Sequence, residues 1–245
     1  MVDYFAPEIV EALKANPPLP RKGGYDALVR LIDILAAVTA LLVFGPLMLV
    51  LALAIRLGDG GPVFFRQERM GKGGKGFRIF KFRSMVVNAE QSGAKWRMTK
   101  DDRRVTRVGK ILREFHLDEL PQLFNVLLGQ MSLVGPRPAL LFQQEYYEAW
   151  ERPRLAVPPG MTGLSQVSGG NALNWDQRIL IDVYYVRHRH IGMYLWILAQ
   201  TVRQIFVKQG IYTADGTVKG WTRPVPDWYT EGGEASPARE GAPDA

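Results

Sequence analysis

The chain has 245 residues, 47% of them apolar, enough for one domain of ordinary size with tails. Its 31 lysines and arginines against 24 acidic residues give a formal charge of +7, which points to a polyanionic partner: nucleic acid, anionic lipid or a phosphate-rich substrate. The absence of cysteine excludes a disulfide scaffold, thiol catalysis and a cysteine-ligated metal, and His116, His188 and His190 form no HExxH motif, so catalysis would rest on carboxylates, lysine and arginine.

Residues 1–24 carry an amphipathic pattern with Ile9, Val10 and Leu13 on one side, then Pro17, Pro18, Pro20 and Gly23, and read as an N-terminal appendage. From Ile34 to Ile55 no residue is charged, and Arg30, Asp33 and Arg56 mark the edges. A run of that length is a membrane segment, and its internal position argues against a cleaved signal peptide. Pro46, after Gly45, removes one helix hydrogen bond and clashes with the carbonyl of Leu42, so a bend is expected. Each half then has about eleven residues, roughly 17 Å of helix or one leaflet of a ~30 Å core. Arg21, Lys22 and Arg30 precede the run, while Arg56, Arg66, Arg69, Lys72, Lys75, Arg78, Lys81 and Arg83 follow it, so both flanks are positive, as cytoplasmic flanks are. These residues leave open a kinked spanning helix and a hairpin that dips in and returns. The spanning helix is preferred on backbone grounds, because lipid does not satisfy a broken helix.

Residues 62–83 predict two strands, Val63 to Phe65 and Phe77 to Phe82, joined by a glycine- and lysine-rich hairpin turn from Gly71 to Gly76. The turn lacks the GxxxxGK[ST] phosphate-loop pattern. Lys81 and Arg83 alternate with Ile79, Phe80 and Phe82, so both would project together, into a site or onto lipid headgroups. Between Asn88 and Asp102 the pattern is weak and reads as helix and loop. Val105, Val108, Ile111 and Leu112 then mark a helical face, with Arg104, Arg107, Lys110 and Arg113 on the others.

Asp118 and Glu119 precede Leu120, Leu123, Phe124, Leu127 and Leu128 at helical spacing, Pro121 suits a first helical turn, and Gly129 is a stop. Asp118 is therefore expected at or just before a helix N-terminus, where unpaired N–H groups attract phosphate and lower a carboxylate pKa. Such a carboxylate is either an ordinary cap residue or a nucleophile. Pro136 and Pro138 hold Arg137 extended, ready to grip phosphate or a base edge at little entropic cost, though a structural loop explains the same letters. Leu140 to Trp150 reads as a helix and 157–163 as a loop. Asn174 and Gln177 form a capping box opening a helix to His190, on which Asp182 is suited to pair with an arginine. Gly192 to Lys208 is another amphipathic helix, and beyond Thr213 only Trp221 and Trp228 look able to dock before a disordered end.

Taken in order, the broken hydrophobic run, Phe80 to Met85, Leu117 to Gln122, Met131 to Pro138, Pro159 to Gly163 and Asp182 to Tyr185 resemble the bacterial sugar transferase family of monotopic phosphoglycosyl transferases, specifically its small members, over residues 25–210. The resemblance implies an α+β, mostly helical fold: a monotopic membrane protein with a re-entrant helix-break-helix hairpin (25–57), a small β-hairpin and amphipathic interfacial helices. It therefore replaces the spanning helix by a hairpin. Residues 58–212 would form a cytosolic catalytic domain on the bacterial inner membrane, and 213–245 a partly disordered tail.

The implied reaction moves a phospho-sugar from a UDP-sugar to polyprenol phosphate, usually undecaprenyl phosphate, releasing UMP. It requires Mg²⁺ and opens a glycoconjugate pathway such as that of an exopolysaccharide. In that scheme Asp118 is the nucleophile, and Glu119 assists metal binding or proton handling. Both would hold the metal. Lys81, Arg83, Arg113 and Arg137 supply positive charge to phosphate, Pro136 and Pro138 frame the nucleotide end, and Asp182 occupies a family acidic position. Membrane lipid is a further partner, nucleic acid is not expected, and a homo-oligomer is left open. This sequence departs from the family pattern at Gly45, where serine is common, and at Gly170, where arginine is common. A nucleotide-sugar pyrophosphatase and a non-catalytic membrane-surface adaptor are the competing readings.

Overall fold

The computed structural model describes residues 2–89 and 102–207. The tail from Thr213, with Trp221 and Trp228, and most of the weakly patterned 88–102 stretch lie outside them. Helix α1 (Pro7–Lys14) begins on a proline whose missing N–H has no helical partner. It buries Leu13 against Ile179, Leu180 and Val183, with Ile9 and Val10 beside it as the amphipathic pattern predicts.

Helix α2 (Gly23–Asp59) is long and apolar enough to cross a membrane. It runs through Gly45 and Pro46 as one helical element, without the interruption into two helices that the resemblance implies. One lost hydrogen bond leaves the rest of an apolar helix intact, because the other backbone groups have no better partner. Val29, Asp33, Ala37, Met48 and Ile55 form the buried side, while elsewhere Leu42 and Leu57 are each 76% exposed.

Both ends of α2 close on the same body of protein. Asp33, 2% exposed, accepts hydrogen bonds from the Leu133 N–H at 2.9 Å and the Tyr194 hydroxyl at 2.7 Å. Arg30 donates to the carbonyls of Val126, at 2.5 Å, and Leu127, at 2.7 Å. At the far end Asp59 pairs with Arg83, and Ile55 packs with Phe82 and Leu112.

Strands β1 (Phe64–Met70) and β2 (Gly76–Phe82) form an antiparallel hairpin as predicted, though β1 extends five residues past the expected Val63 to Phe65, with Phe64 opposite Phe82 and Met70 opposite Gly76. Helix α3 (Arg107–Glu114) is capped by Thr106, whose hydroxyl accepts the Gly109 N–H at 2.9 Å. Val108 and Leu112 of its predicted apolar face turn inward, but Ile111 is exposed. The six-residue α4 (Gln122–Leu127) stops where Gly129 takes a φ of +76°, which glycine adopts without strain. Leu123 and Val126 join Ala37, Ile79 and Met131 in a buried cluster, whereas Phe124 and Leu128 of the same leucine-rich run face outward.

A parallel pair of short strands, β3 (Ser132–Val134) and β4 (Gly160–Thr162), was not legible in the sequence, which reads 157–163 as loop. Glycine is what lets them meet: a Cβ on Gly160 would lie 2.1 Å from the Gly135 nitrogen. The helix expected over Leu140 to Trp150 is only a 3₁₀ turn, Leu141–Tyr146. It ends because Tyr147 is extended and buried, with its hydroxyl bonded to Arg154. Helices α5 (Leu164–Val167), α6 (Trp175–His188) and α7 (Ile191–Val207) complete the fold. Asn174 and Gln177 make the predicted reciprocal capping bonds at the start of α6, each 2.9 Å.

Asn125, 0% exposed, joins α4 to β2: its Oδ1 accepts the Phe80 N–H at 2.9 Å and its Nδ2 donates to the Arg78 carbonyl at 2.8 Å. Asn125→Leu should destabilise the protein by about 1–3 kcal/mol for each polar group left unsatisfied, read by denaturant unfolding in detergent. Loss below 0.5 kcal/mol would mean that water takes over those bonds.

Candidate active site

Asp118 and Glu119 lie in a 3₁₀ turn, Leu117–Glu119, rather than in the first turn of α4, which begins three residues later with Pro121 as its N-cap. The turn is entered through His116 at φ +54°, a left-handed conformation rare outside glycine and asparagine. It holds two adjacent carboxylates at the junction of α3 and α4, where β2 and the Pro136–Pro138 turn meet them.

Glu119 is engaged. Its Oε1 accepts from Lys81 Nζ at 2.7 Å and from Arg137 Nη2 at 3.0 Å. Burial alone would push the Glu119 carboxyl up, but these two cations hold it well below the ordinary glutamate range. Glu119 in turn raises the Arg137 guanidinium above its usual value. Arg137 keeps 49% of its side-chain surface exposed, so it can still meet a ligand.

Asp118 stands differently. No described residue bonds to its carboxylate, and its burial raises its pKa, with Lys81 and Arg113 pulling down and the Glu119 charge pushing up. Arg113 donates from Nε to the Ser84 hydroxyl at 2.8 Å, which orients its side chain beside this turn. The half-buried carboxylate is thus pushed up by burial despite two nearby cations. Among the described residues no three His, Asp or Glu side chains gather into a metal cage. Mg²⁺ needs less than a cage, since it binds through one or two carboxylates together with phosphate oxygens and water. The adjacent Asp118 and Glu119, one of them bonded to no described residue, fit that demand.

The structure brings Lys81, Arg113, Arg137, Asp118 and Glu119 together, but not Arg83. That residue lies one position beyond the end of β2 and turns to Asp59 at the end of α2, so it does not project with Lys81. Asp182 is also away from the dyad, in the paired role the sequence allows: its Oδ2 accepts from Arg154 Nη2 at 2.7 Å and its Oδ1 from the Ser165 hydroxyl at 2.7 Å. Burial pushes the Asp182 carboxyl up, against the pull of Arg154 and Ser165.

The carbonyls of the Pro-Arg-Pro turn are all used. Pro136 accepts from the Gly160 N–H at 2.9 Å, Arg137 from Arg154 at 3.1 Å and Pro138 from Arg69 at 3.4 Å. Sequence reasoning singled out neither Arg69 nor Arg154 as a site residue. The one signal for Arg154 was Asp182 itself, an acid on an apolar helix that needs a buried cation.

Two carboxylates set among cations lie beside a helix long and apolar enough to cross a membrane, an arrangement in the class suited to phosphate ligands. The chain belongs to the bacterial sugar transferase family, whose model matches residues 24–208. It is 45% identical over 195 residues to the UDP-N-acetylgalactosamine-undecaprenyl-phosphate N-acetylgalactosaminephosphotransferase of Aeromonas hydrophila, covering 76% of this chain and 45% of that protein. It is 42% identical over 191 residues to the UDP-glucose:undecaprenyl-phosphate glucose-1-phosphate transferase of Klebsiella pneumoniae, covering 75% and 41%. With the sugar transferase EpsL of Bacillus subtilis it shares 40% identity over 182 residues, covering 74% and 89%. The chain thus spans less than half the length of the first two relatives and most of the third.

Carboxyl-carbon NMR should find Asp118 titrating above the ordinary aspartate range while Glu119 stays ionised below the ordinary glutamate range. Glu119→Gln removes a negative neighbour and so should move the Asp118 midpoint down, whereas Lys81→Met should move it up. Equal, unshifted midpoints would contradict the asymmetry of the pair.

Proposed function

We propose that this protein is a phosphoglycosyl transferase that moves a phospho-sugar from a UDP-sugar to a polyprenol phosphate, with undecaprenyl phosphate the acceptor named for two of its relatives. The carrying observation is the division of labour in the carboxylate pair: Glu119 is clasped by Lys81 and Arg137, while Asp118 beside it is bonded to no described residue.

An Asp118 oxygen attacks the β-phosphorus of the donor, the bond from that phosphorus to the bridging oxygen breaks, and UMP leaves with the bond's electrons. The sugar phosphate is then esterified to Asp118. An oxygen of the lipid phosphate attacks the same phosphorus and displaces the carboxylate, regenerating Asp118 and forming the lipid-linked diphosphate. Two steps suit a reaction with one soluble and one membrane substrate, which then need not be bound together. Lys81, Arg113 and Arg137 offset the charge of the approaching phosphates. Mg²⁺, held by Asp118 and Glu119, would supply further neutralisation of the diphosphate.

Helix α2 bends at Pro46, so that it enters the cytoplasmic membrane and leaves it on the same side, and its positive flanks favour the cytoplasmic side for the catalytic domain. The reading is supported by the charged residues at both ends of α2. Arg30 and Asp33 at one end, and Asp59 at the other, all bond to one body that carries the site. A straight helix would carry Asp59 about 39 Å from Asp33, more than the ~30 Å hydrocarbon core, so both ends meet one membrane face only through a bend at Pro46. Exposed Ile111, Phe115, Phe124 and Leu128, on elements flanking the dyad, add an apolar rim suited to the lipid boundary.

With undecaprenyl phosphate present, a panel of UDP-sugars should include one that releases UMP, and Asp118→Asn should lower that rate about a thousandfold or more. Rapid UMP release that ignores the lipid would identify a pyrophosphatase instead. Because the chain has no cysteine, Pro20→Cys and Lys75→Cys each give a single labelling site. An impermeant thiol reagent should reach both from the same side of sealed vesicles, and labelling from opposite sides would overturn the re-entrant course.

A further inference from the structure

We propose that Arg154 is the positioning residue of this site, holding the Pro136–Pro138 turn by its backbone so that the Arg137 side chain stands between Glu119 and the diphosphate end of the donor. The proposal rests on the transferase reading for the identity of that ligand, but its geometry does not.

Arg154 belongs to a 3₁₀ turn, Arg152–Leu155, and is 4% exposed. Its Nη2 donates both to Asp182 Oδ2 at 2.7 Å and to the Arg137 carbonyl at 3.1 Å, and its Nη1 donates to the Tyr147 hydroxyl. The guanidinium also lies over the rings of Tyr147, at 5.5 Å, and Trp175, at 5.6 Å. Asp182 is itself held by Ser165 on α5, so the fork is anchored from α6, α5 and the extended residue after 141–146.

A buried ion pair is weak evidence of stabilisation, since a well-packed apolar pair often serves as well. What an apolar pair could not do is donate to the Arg137 carbonyl. Pro136 and Pro138 each fix their own φ, leaving Arg137 as the one residue of the turn whose φ is not ring-locked. The bond from Arg154 constrains it there. Asp182 neutralises Arg154, so a second guanidinium approaches the back of the turn without repelling Arg137. The result is an unbroken path of polar contacts: Ser165, Asp182, Arg154, the Arg137 backbone, the Arg137 side chain, Glu119 and Lys81.

A shift of about 1 Å in a group that grips substrate can cost about 100-fold. Lysine at 154 keeps the charge opposite Asp182 but places its donors on one atom, which cannot serve three acceptors arranged as a fork. Arg154→Lys, Arg137→Ala and the double variant should therefore be assayed for KM of the UDP-sugar, KM of the lipid acceptor and kcat. Arg154→Lys should raise donor KM about 10-fold to 100-fold and leave acceptor KM within about twofold. In the Arg137→Ala background it should add less than about twofold, because its effect passes through Arg137.

Amide exchange reads the same turn without activity: peptides covering 134–140 should exchange faster in Arg154→Lys, while α6 keeps its protection. If Arg154→Lys does not accumulate folded, Ser165→Ala replaces it, removing one donor to Asp182 with every charge kept, and should shift donor KM and exchange in the same direction by less. Additive effects in the double variant, or unchanged exchange over 134–140, overturn the proposal. Wild-type protein that releases no UMP overturns the transferase reading alone, and the exchange measurement then decides the positioning role.

Discussion

Glu119 Oε1 accepts from Lys81 and Arg137 at once, and this one oxygen joins a strand, a turn and the dyad itself. Each partner comes from a different part of the chain, so the fold must bring β2, the 3₁₀ turn at 117–119 and the Pro136–Pro138 turn to a common point. Taking a carboxylate and two cations partly out of water is unfavourable unless the geometry repays it. Here the contacts are short, and the carboxylate is shared. The consequence for chemistry is asymmetry: the clasped Glu119 is held ionised, while its neighbour Asp118 is raised by burial and left unbonded by the described residues. An unbonded carboxylate keeps its lone pairs available to an incoming phosphorus, and Lys81 and Arg113 oppose the tendency of burial to protonate it.

The rest of the structure serves this meeting point. Asn125 ties α4 to β2 and so sets the distance from the dyad to Lys81. Arg30 caps the C-terminal carbonyls of α4, and Asp33 holds the start of the strand that leads to Arg137, so one turn of α2 grips both elements of the site. A charged pair on an otherwise apolar helix is costly in lipid, which gives those residues reason to remain within the protein body. The site is thereby carried on the same body as the long apolar helix. Arg154, with Asp182 behind it, holds the remaining element from the opposite side.

Local chemistry was legible in the sequence. Adjacent acids before a leucine-rich run, prolines flanking an arginine and the Asn174 capping box each announce themselves over a few residues, and the structure has the capping bonds where expected. In the strand hairpin the first strand, read as Val63 to Phe65, runs on through charged residues to Met70, but the second strand and the glycine-rich turn were legible. What depended on distant partners was not. The pairing of β3 with β4 relies on Gly135 and Gly160 approaching closely, which no period reveals. Arg83 was grouped with Lys81 by alternation, but β2 ends at Phe82 and the residue after it follows a different direction, to Asp59. Arg154 lies among ordinary surface-type letters, and only folding makes it one of the most enclosed charges among the described residues.

In the proposed reaction Asp118, and not Glu119, becomes transiently esterified to the phosphorus of the donor. Intact-protein mass spectrometry of enzyme incubated with its UDP-sugar and no lipid acceptor, followed by peptide mapping, tests it most directly. The expected result is a sugar-phosphate adduct on Asp118 that disappears when polyprenol phosphate is added. An adduct on Glu119, or full turnover by a variant that forms none, would contradict it.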